Sequence, residues 1–584
     1  MEVFKKLRQY YWPYKNYFIF SMVFLLIVTG LTVVYPVILQ QTIDKVIYKG
    51  QYDLIPTLTL GFLGIMVIKG IATYIQQYTG DLFGIKSVYR MRNALYEKLQ
   101  FLPFSYYDNA KTGDLMSRLT ADVETFRFFL SMGFSELFRF ILMLSVAFGV
   151  MFFYSVPLTL ATMVSLPFLL FVVYKFDRSV HPAFRGIRKS FGRLNTNVQE
   201  NISGINTVKS LSREEFQNGK FNVSNTDYKD QMIFTSGIWA KYFPLMEFLG
   251  NLCVVVMLSF GGYLVINGSL TPGELVAFYS LVGFVLWPIM SLGFTINMFS
   301  QSKASGERLL EVLEVKEEIQ EKEDAYAPER LLGEVEFKNV SLRYAGDDNE
   351  ALQDINFKAE PGKIIGLLGA TGSGKTSITQ LITRFYEAEK GEVLIDGRNV
   401  NEYSLKSLRS NIGFVMQESF LFSSTIKANI AYGRPEASME DIMEAAKRAD
   451  AHNFIMDLPE GYDTVLGERG LGLSGGQKQR ISIARAICQD PSILILDDAT
   501  SAVDMETEFK IQGALREVMN GRTTFIIAHR ISSLKHADEI LVLDNGRIVE
   551  RGKHEQLLQN GGPYERVYKI QFQDQQAILQ GQRG

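Results

Sequence analysis

The sequence predicts an all-α membrane domain of six helices, followed by an α/β domain built around a phosphate-binding loop. Three observations predict it. Six apolar stretches fill the first half, each near the roughly 20 residues that cross a bilayer. The pattern GxxxxGK[ST] occurs as Gly369-Ala-Thr-Gly-Ser-Gly-Lys-Thr376. A later apolar run, Ser492-Ile-Leu-Ile-Leu-Asp-Asp498, ends in two carboxylates.

Composition divides the same way. The 584 residues are 47% hydrophobic and 12% aromatic, an average over a very apolar first half and a charged second half. A formal net charge of −3 gives no argument for a nucleic-acid partner. The two cysteines, Cys253 and Cys488, lie one in each half, which argues against a disulfide framework and against a thiolate metal site. The segment Met1–Arg8 is basic but lacks a short apolar core with a small-residue cleavage site, so no removable signal peptide is expected.

Up to about Tyr17 the chain is basic and aromatic (Tyr10, Tyr11, Trp12, Tyr14) and reads as an amphipathic helix at a membrane interface. The apolar stretches follow near 17–40, 55–80, 130–154, 157–176, 241–266 and 274–299. Uncharged turns, Tyr154-Ser-Val-Pro157 and Asn267-Gly-Ser-Leu-Thr-Pro272, separate spans three from four and five from six. The 2–3 and 4–5 connections are long and carry Arg90, Arg92, Lys98, Arg118, Arg185, Arg188, Lys189 and Arg193. The positive-inside rule then places both termini and both connections in the cytoplasm of a multi-pass cell-membrane protein. The connections are helically periodic and read as helices running on beyond the bilayer, with turns near Thr112–Leu119 and Asn201–Asn206. Those turns are where the membrane part is expected to touch the nucleotide part.

Lys69, Glu136, Arg139 and Glu247 fall in or near spans, where a charge faces a cavity, a partner or the interface. Tyr242, Phe243, Phe248, Trp287, Phe294, Asn297 and Met298 offer a lining for flat, amphipathic molecules, though any single aromatic serves packing equally well. Pro36, Pro244 and Pro288 are expected to kink their helices. No ring of charge suggests the selectivity filter of a channel.

Residues 320–334 read as a charged linker between a membrane domain over 1–319 and a nucleotide domain over 335–572, with a tail over 573–584. Lys363–Leu368 reads as a buried strand and Ser377–Thr383 as a helix, the context the phosphate loop requires. The loop Gly369, Thr371, Gly372, Ser373, Gly374, Lys375, Thr376 with Ser377 turns backbone N–H groups and a helix N-terminus toward a phosphate. Lys375 would reach the β- and γ-phosphates of ATP, and Thr376 and Asp497 would hold Mg²⁺. Asp498 is placed to act on the attacking water. Leu473-Ser-Gly-Gly-Gln477 opens a further helix, and Ser474, Gly475, Gly476 and Gln477 form a second phosphate-binding nest. Two devices for one γ-phosphate imply a dimer in which each nest closes over the other chain's nucleotide.

These residues resemble the ATP-binding cassette (ABC) superfamily over essentially the whole chain, in the layout of an exporter half-transporter with the type IV membrane fold. Tyr344, Gly369–Thr376, Gln417 in Val415-Met-Gln-Glu-Ser-Phe420, Gly467–Gly470, Leu473–Gln477, Ile493–Asp498, Ser501-Ala-Val-Asp504 and His529 carry the likeness. The resemblance implies that Tyr344 stacks on adenine and Gln417 senses Mg²⁺ and the membrane domain. It implies that His529 contacts the γ-phosphate and Asp504 acts across the dimer. It further implies that the two turns are coupling helices and that ATP hydrolysis drives export. One position departs: the family's catalytic base is Glu, and Asp498 is one methylene shorter. The resemblance is greatest to subunits of bacterial heterodimeric multidrug exporters. It implies a partner half-transporter bearing the catalytic Glu, with a homodimer that uses the Asp base as the alternative, and a cargo of amphipathic drugs or lipids in a lipid bilayer.

Overall fold

A computed structural model describes residues 2–316, 319, 321–498, 513, 515–528 and 530–571. The chain forms two compact units, 1–100 with 111–315, and 101–110 with 316–584.

The first unit is helical. Among the described residues six helices are long and apolar enough to span a bilayer: Glu2–Ile47, Leu54–Phe101, Thr112–Tyr154, Val156–Ser203, Glu214–Ile266 and Pro272–Ser291. The last belongs to a helix that runs on to Leu313. At about 1.5 Å per residue, helices of 48 and 53 residues far exceed the roughly 30 Å of a hydrocarbon core. The apolar runs thus occupy only part of each rod. Pro36, Pro244 and Pro288 all lie inside helices. A core of Met151, Leu158, Leu169, Met246, Cys253, Met257, Phe278 and Leu281 joins the spans.

The tight turns follow from local capping. Ser155 is extended (φ −161°) and its Oγ accepts the Leu158 N–H at 3.3 Å, restarting a helix within one residue. Thr271 and Glu274 form a reciprocal capping box around Pro272, the first helical residue, and Asp44 accepts the Gly273 N–H at 2.8 Å. The 4–5 connection turns at Gly204, followed by the short helix Ile205–Ser210, within the region expected. The 2–3 connection does not turn at Thr112–Leu119, which starts a helix instead. Its break spans Leu102–Lys111 and encloses the short helix Phe104–Asn109. Pro103 explains the shift: it has no N–H to continue the preceding helix, and it stands at the cap of the next. Glu136 and Arg139 pair with each other at 3.1 Å, one turn apart.

The second unit has two sheets. Strands β1 (Val335–Leu342), β2 (Leu352–Ala359), β4 (Lys390–Ile395) and β5 (Arg398–Asn399) form an antiparallel sheet in the order β2-β1-β4-β5. Strands β3 (Ile364–Gly369), β6 (Ile412–Val415), β7 (Ile493–Asp497), β8 (Thr523–Ile527), β9 (Glu539–Asp544) and β10 (Arg547–Gly552) form the order β10-β9-β3-β8-β7-β6. Within it β9, β3, β8, β7 and β6 are parallel and β10 is antiparallel to β9. The central strands are almost continuously apolar because helices or the other sheet cover both faces. Ile378, Leu381 and Ile382 of helix Lys375–Ile382 pack on one face, and Ile481, Ala484 and Ile487 of helix Gly475–Cys488 on the other. The parallel register brings the ends of β3, β6 and β7 to one edge, where open α/β sheets bind ligands.

Candidate nucleotide site

The phosphate loop leaves β3 at Gly369 and enters its helix through Gly374, whose φ is +101°. A Cβ at Gly374 would stand 2.6 Å from Leu352 Cδ2 and 2.8 Å from the Ala351 carbonyl, so the position demands glycine twice over. Gly374→Ala should therefore strain the loop by about 1–3 kcal/mol. We expect a lower melting temperature and at least about tenfold weaker ATP binding, read by scanning fluorimetry and a fluorescent ATP analogue. A variant that melts and binds like the parent would refute this account of the loop.

Lys375 is the first residue of the helix and only 5% exposed. Its Nζ donates to the carbonyls of Gly369 and Ala370, both at 2.8 Å. Burial lowers its pKa, while Asp497 and Asp498 oppose that shift. Ser373 is also buried, and its Oγ has no hydrogen-bond partner among the described residues. An orphaned hydroxyl beside an ammonium and a row of loop N–H groups fits a bound polyphosphate. Thr376 and Asp497, a hydroxyl and a carboxylate, are hard oxygen donors that suit Mg²⁺.

Lys375, Thr376 and Asp497 line one cleft of about 530 Å³, with Tyr344, Thr371, Gly372, Gly374, Ser377 and Gln417 around it; Ser373 and Asp498 are not among its lining residues. Tyr344 is held by its hydroxyl, which donates to Gln380 Oε1 at 2.7 Å and shares a 2.7 Å contact with Ser377 Oγ. Burial raises its pKa, partly offset by the Ser377 bond, so it acts as a neutral phenol. Gln417 follows β6 and is exposed. Asp498 follows β7, its N–H donating to the Ile527 carbonyl at 2.9 Å with φ at +43°. Aspartate tolerates that left-handed conformation better than most side chains.

Ser474–Gln477 are not among the residues lining the cleft. Ser474 caps helix Gly475–Cys488: its Oγ accepts the Gln477 N–H at 3.3 Å, and its own N–H donates to Gln477 Oε1 at 2.8 Å. That box leaves Gly475 exposed at the helix start, while Gly476 behind it is buried. Asp504 and His529 lie outside the described residues. Sequence reasoning passed over Asp347, Asp348, Asn349 and Glu350, which also line the cleft. Their signal was position, directly after Tyr344 in the β1–β2 loop. The aromatic lining expected in the membrane half is mixed: Tyr242 packs on Phe176, whereas Trp287 (73%) and Phe294 (70%) are exposed on the chain.

The phosphate loop, the Asp497 carboxylate and six long apolar helices define a membrane transporter powered by ATP hydrolysis. The family models agree: residues 18–289 match the ABC transporter transmembrane region, and residues 352–501 match the ABC transporter domain. The chain belongs to the ABC transporter family, with the type IV exporter fold. It is 65% identical over 578 residues to the uncharacterized ABC transporter ATP-binding protein YknU of Bacillus subtilis (strain 168), with 99% of each chain covered. It is 35% identical to the putative multidrug export ATP-binding/permease protein YgaD of the same organism, covering 98% and 100%. The ATP-dependent lipid A-core flippase of Syntrophus aciditrophicus (strain SB) is 36% identical, covering 98% of this chain and 95% of the flippase. A solved bacterial Atm1-family ABC exporter with ATP bound superposes with a TM-score of 0.79 at 26% identity, covering 95% and 98% of the two chains.

Proposed function

We propose that this chain is one half of a heterodimeric exporter that moves amphipathic small molecules out of the cell. The observation that carries the reading is Asp498, an aspartate directly after β7, in a chain whose Ser474–Gln477 is intact and well capped. Bound Mg-ATP supplies the phosphoanhydride bond whose cleavage resets the transporter. Around it Lys375 and the loop N–H groups would bind phosphate oxygens, Thr376 and Asp497 would hold the metal, and Tyr344 would stack on the base. Gln417 senses the metal, His529 meets the γ-phosphate, and Asp504 acts across the dimer.

Asp498 sets back its carboxylate by about one C–C bond, and a misplacement near 1 Å costs on the order of a hundredfold in rate. This chain's own site is then slow. Its Ser474–Gln477 completes a fast site on a partner that carries Glu. Both termini and the long connections lie in the cytoplasm, as the Lys and Arg distribution indicates. The likeness to a putative multidrug exporter supports drugs as cargo. The likeness to a lipid A-core flippase favours a second reading, a homodimer moving lipid.

One assay separates these readings: ATPase turnover of the chain alone and co-assembled with the product of its neighbouring gene, in nanodiscs. Activity should appear only in the pair. There Asp498→Asn should cost less than about threefold, and loss of the partner's glutamate about a hundredfold or more. Equal, complete loss from both changes would end the asymmetric reading. Robust turnover of the chain alone would establish the homodimer.

A further inference from the structure

The first helix of the chain spends its apolar face on the protein itself. Helix Glu2–Tyr11 buries Val3, Phe4 and Leu7. Phe4 stacks on Phe126 and Phe299 with centroids 5.7 and 5.6 Å apart, and Tyr11 donates its hydroxyl to the Phe4 carbonyl at 2.8 Å. The opposite face carries Lys5, Arg8 and Gln9, all exposed, and continues to Trp12, which is 42% exposed. A tight turn over Trp12–Tyr14, with Pro13 inside it, then leads into helix Lys15–Gln41. At this turn two cations meet one indole. The Arg8 guanidinium carbon stands 4.0 Å from the centre of the Trp12 ring, and the Lys15 ammonium 5.8 Å from it. Lys6 pairs with Glu314 at 2.9 Å. Arg8 and Lys15, in contrast, have no carboxylate partner among the described residues, and their side chains make no hydrogen bond there. No charged residue follows Lys15 until Asp44. The two cations therefore stand where the chain enters hydrocarbon.

We propose that Arg8, Trp12 and Lys15 form a binding site for the headgroup of an anionic glycerophospholipid. An amphipathic helix at an interface ordinarily inserts its apolar face among acyl chains. Here that face is occupied by Phe126 and Phe299, so the membrane meets the cationic, indole-bearing side instead. The chemistry of that side is selective. A guanidinium seated on a ring keeps its N–H edge for two hydrogen bonds to one phosphate, and an ammonium adds a point charge beside it. The indole holds both cations by its negative face and rests its apolar body at the level of the lipid glycerol. Since no side chain neutralises Arg8 or Lys15, a phosphate is the complement the site lacks. A zwitterionic headgroup offers the same phosphate but brings a positive charge that both cations repel. A soluble phosphate lacks the acyl chains that keep the ligand beside Trp12. Neither the cargo nor the form of the dimer bears on this site.

Fluorescence quenching of the assembled transporter in nanodiscs tests the site. The Trp12 signal is the difference between the parent and its Trp12→Phe variant. Phosphatidylglycerol brominated on its acyl chains is titrated into phosphatidylcholine, and brominated phosphatidylcholine serves as the reference quencher. Each cation near an anionic lipid contributes about fivefold, so Trp12 should report a preference for phosphatidylglycerol of about twentyfold. Lys15→Gln should lower that preference about fivefold, and Arg8→Gln with Lys15→Gln should bring it below about threefold. Lys15→Arg, which keeps the charge, should retain it. Lys5→Gln alters an exposed cation of the same helix that does not reach Trp12, and should change it by less than about twofold. All these positions are exposed, so unchanged melting temperatures are expected. A parent preference below about threefold, or one that survives loss of both cations, would overturn the site. So would an equal loss from Lys5→Gln and Lys15→Gln, which marks a diffuse surface potential. Relief of the quenching by glycerol 3-phosphate would make it a site for soluble anions, which also overturns the lipid assignment.

Discussion

Gly475→Asp will lower ATP turnover of the assembled transporter at least about a hundredfold while leaving its melting temperature unchanged or slightly raised. The two effects have opposite signs because one feature serves both fold and function. Gly475 is the first residue of helix Gly475–Cys488 and is exposed, and the Ser474–Gln477 capping box already fixes the entry to the helix. A carboxylate there meets the positive end of the helix dipole, and replacing glycine reduces the entropy lost on folding. The helix should tolerate or welcome the change. The same charge sits where a phosphate must approach, and a fixed negative charge there repels the anion. ATPase turnover and scanning fluorimetry on one preparation decide the point. Turnover within about threefold of the parent would remove the assignment of this helix start as a phosphate-binding surface.

Lys375→Ala will weaken ATP binding at this chain's own site by about ten- to a hundredfold. The ammonium is nearly enclosed, 5% exposed, and held by the Gly369 and Ala370 carbonyls. Away from water, a charge-assisted bond to a phosphate oxygen is stronger than its surface counterpart. Binding is the proper readout, because a slow Asp498 site contributes little turnover to lose. Equilibrium titration with a fluorescent ATP analogue measures it. Lys375→Arg should not restore affinity, since a planar guanidinium cannot reproduce the point contacts that Nζ makes with the Gly369 and Ala370 carbonyls. Affinity within about threefold of the parent in Lys375→Ala would contradict the placement of Lys375 on the phosphates.

Much of the nucleotide site was legible because its physics is local. A glycine-rich turn between an apolar strand and a helix has one stable use, and Gly369–Thr376 with its flanks met every condition within a short stretch of chain. The carboxylates after Ile493–Leu496 were legible for the same reason: a fully apolar strand in a parallel sheet must end at the edge where ligands bind. Six spans were legible because a bilayer imposes length and apolarity on each stretch independently.

Other features were hidden because they depend on how neighbouring signals compete or on residues far apart in sequence. Glu136 read as a charge that must face a cavity, a partner or the interface, and which of these applies was decided by Arg139, its ion-pair partner one helix turn away. The 2–3 connection was expected to turn at Thr112–Leu119. Pro103 was the overlooked marker of the real break, and composition alone did not rank it above the Gly113 region. Asp347–Glu350 reach the cleft only because the β1–β2 loop folds over the helix that starts at Lys375.

By itself the sequence determined the class of each half, the phosphate loop and its Lys375, the paired carboxylates, and the departure at Asp498. All of these are set by the order of residues within one strand, loop or helix. Only the tertiary structure decided that Phe101–Ala110 packs with the nucleotide-binding unit and that Tyr386 bridges Tyr344 and Asp108. The Tyr386–Asp108 bond joins positions 278 residues apart, and no periodicity or propensity encodes such a pairing. It arises when the sheet order and the loop after Ile382 bring two distant surfaces together and their aromatic rings exclude water.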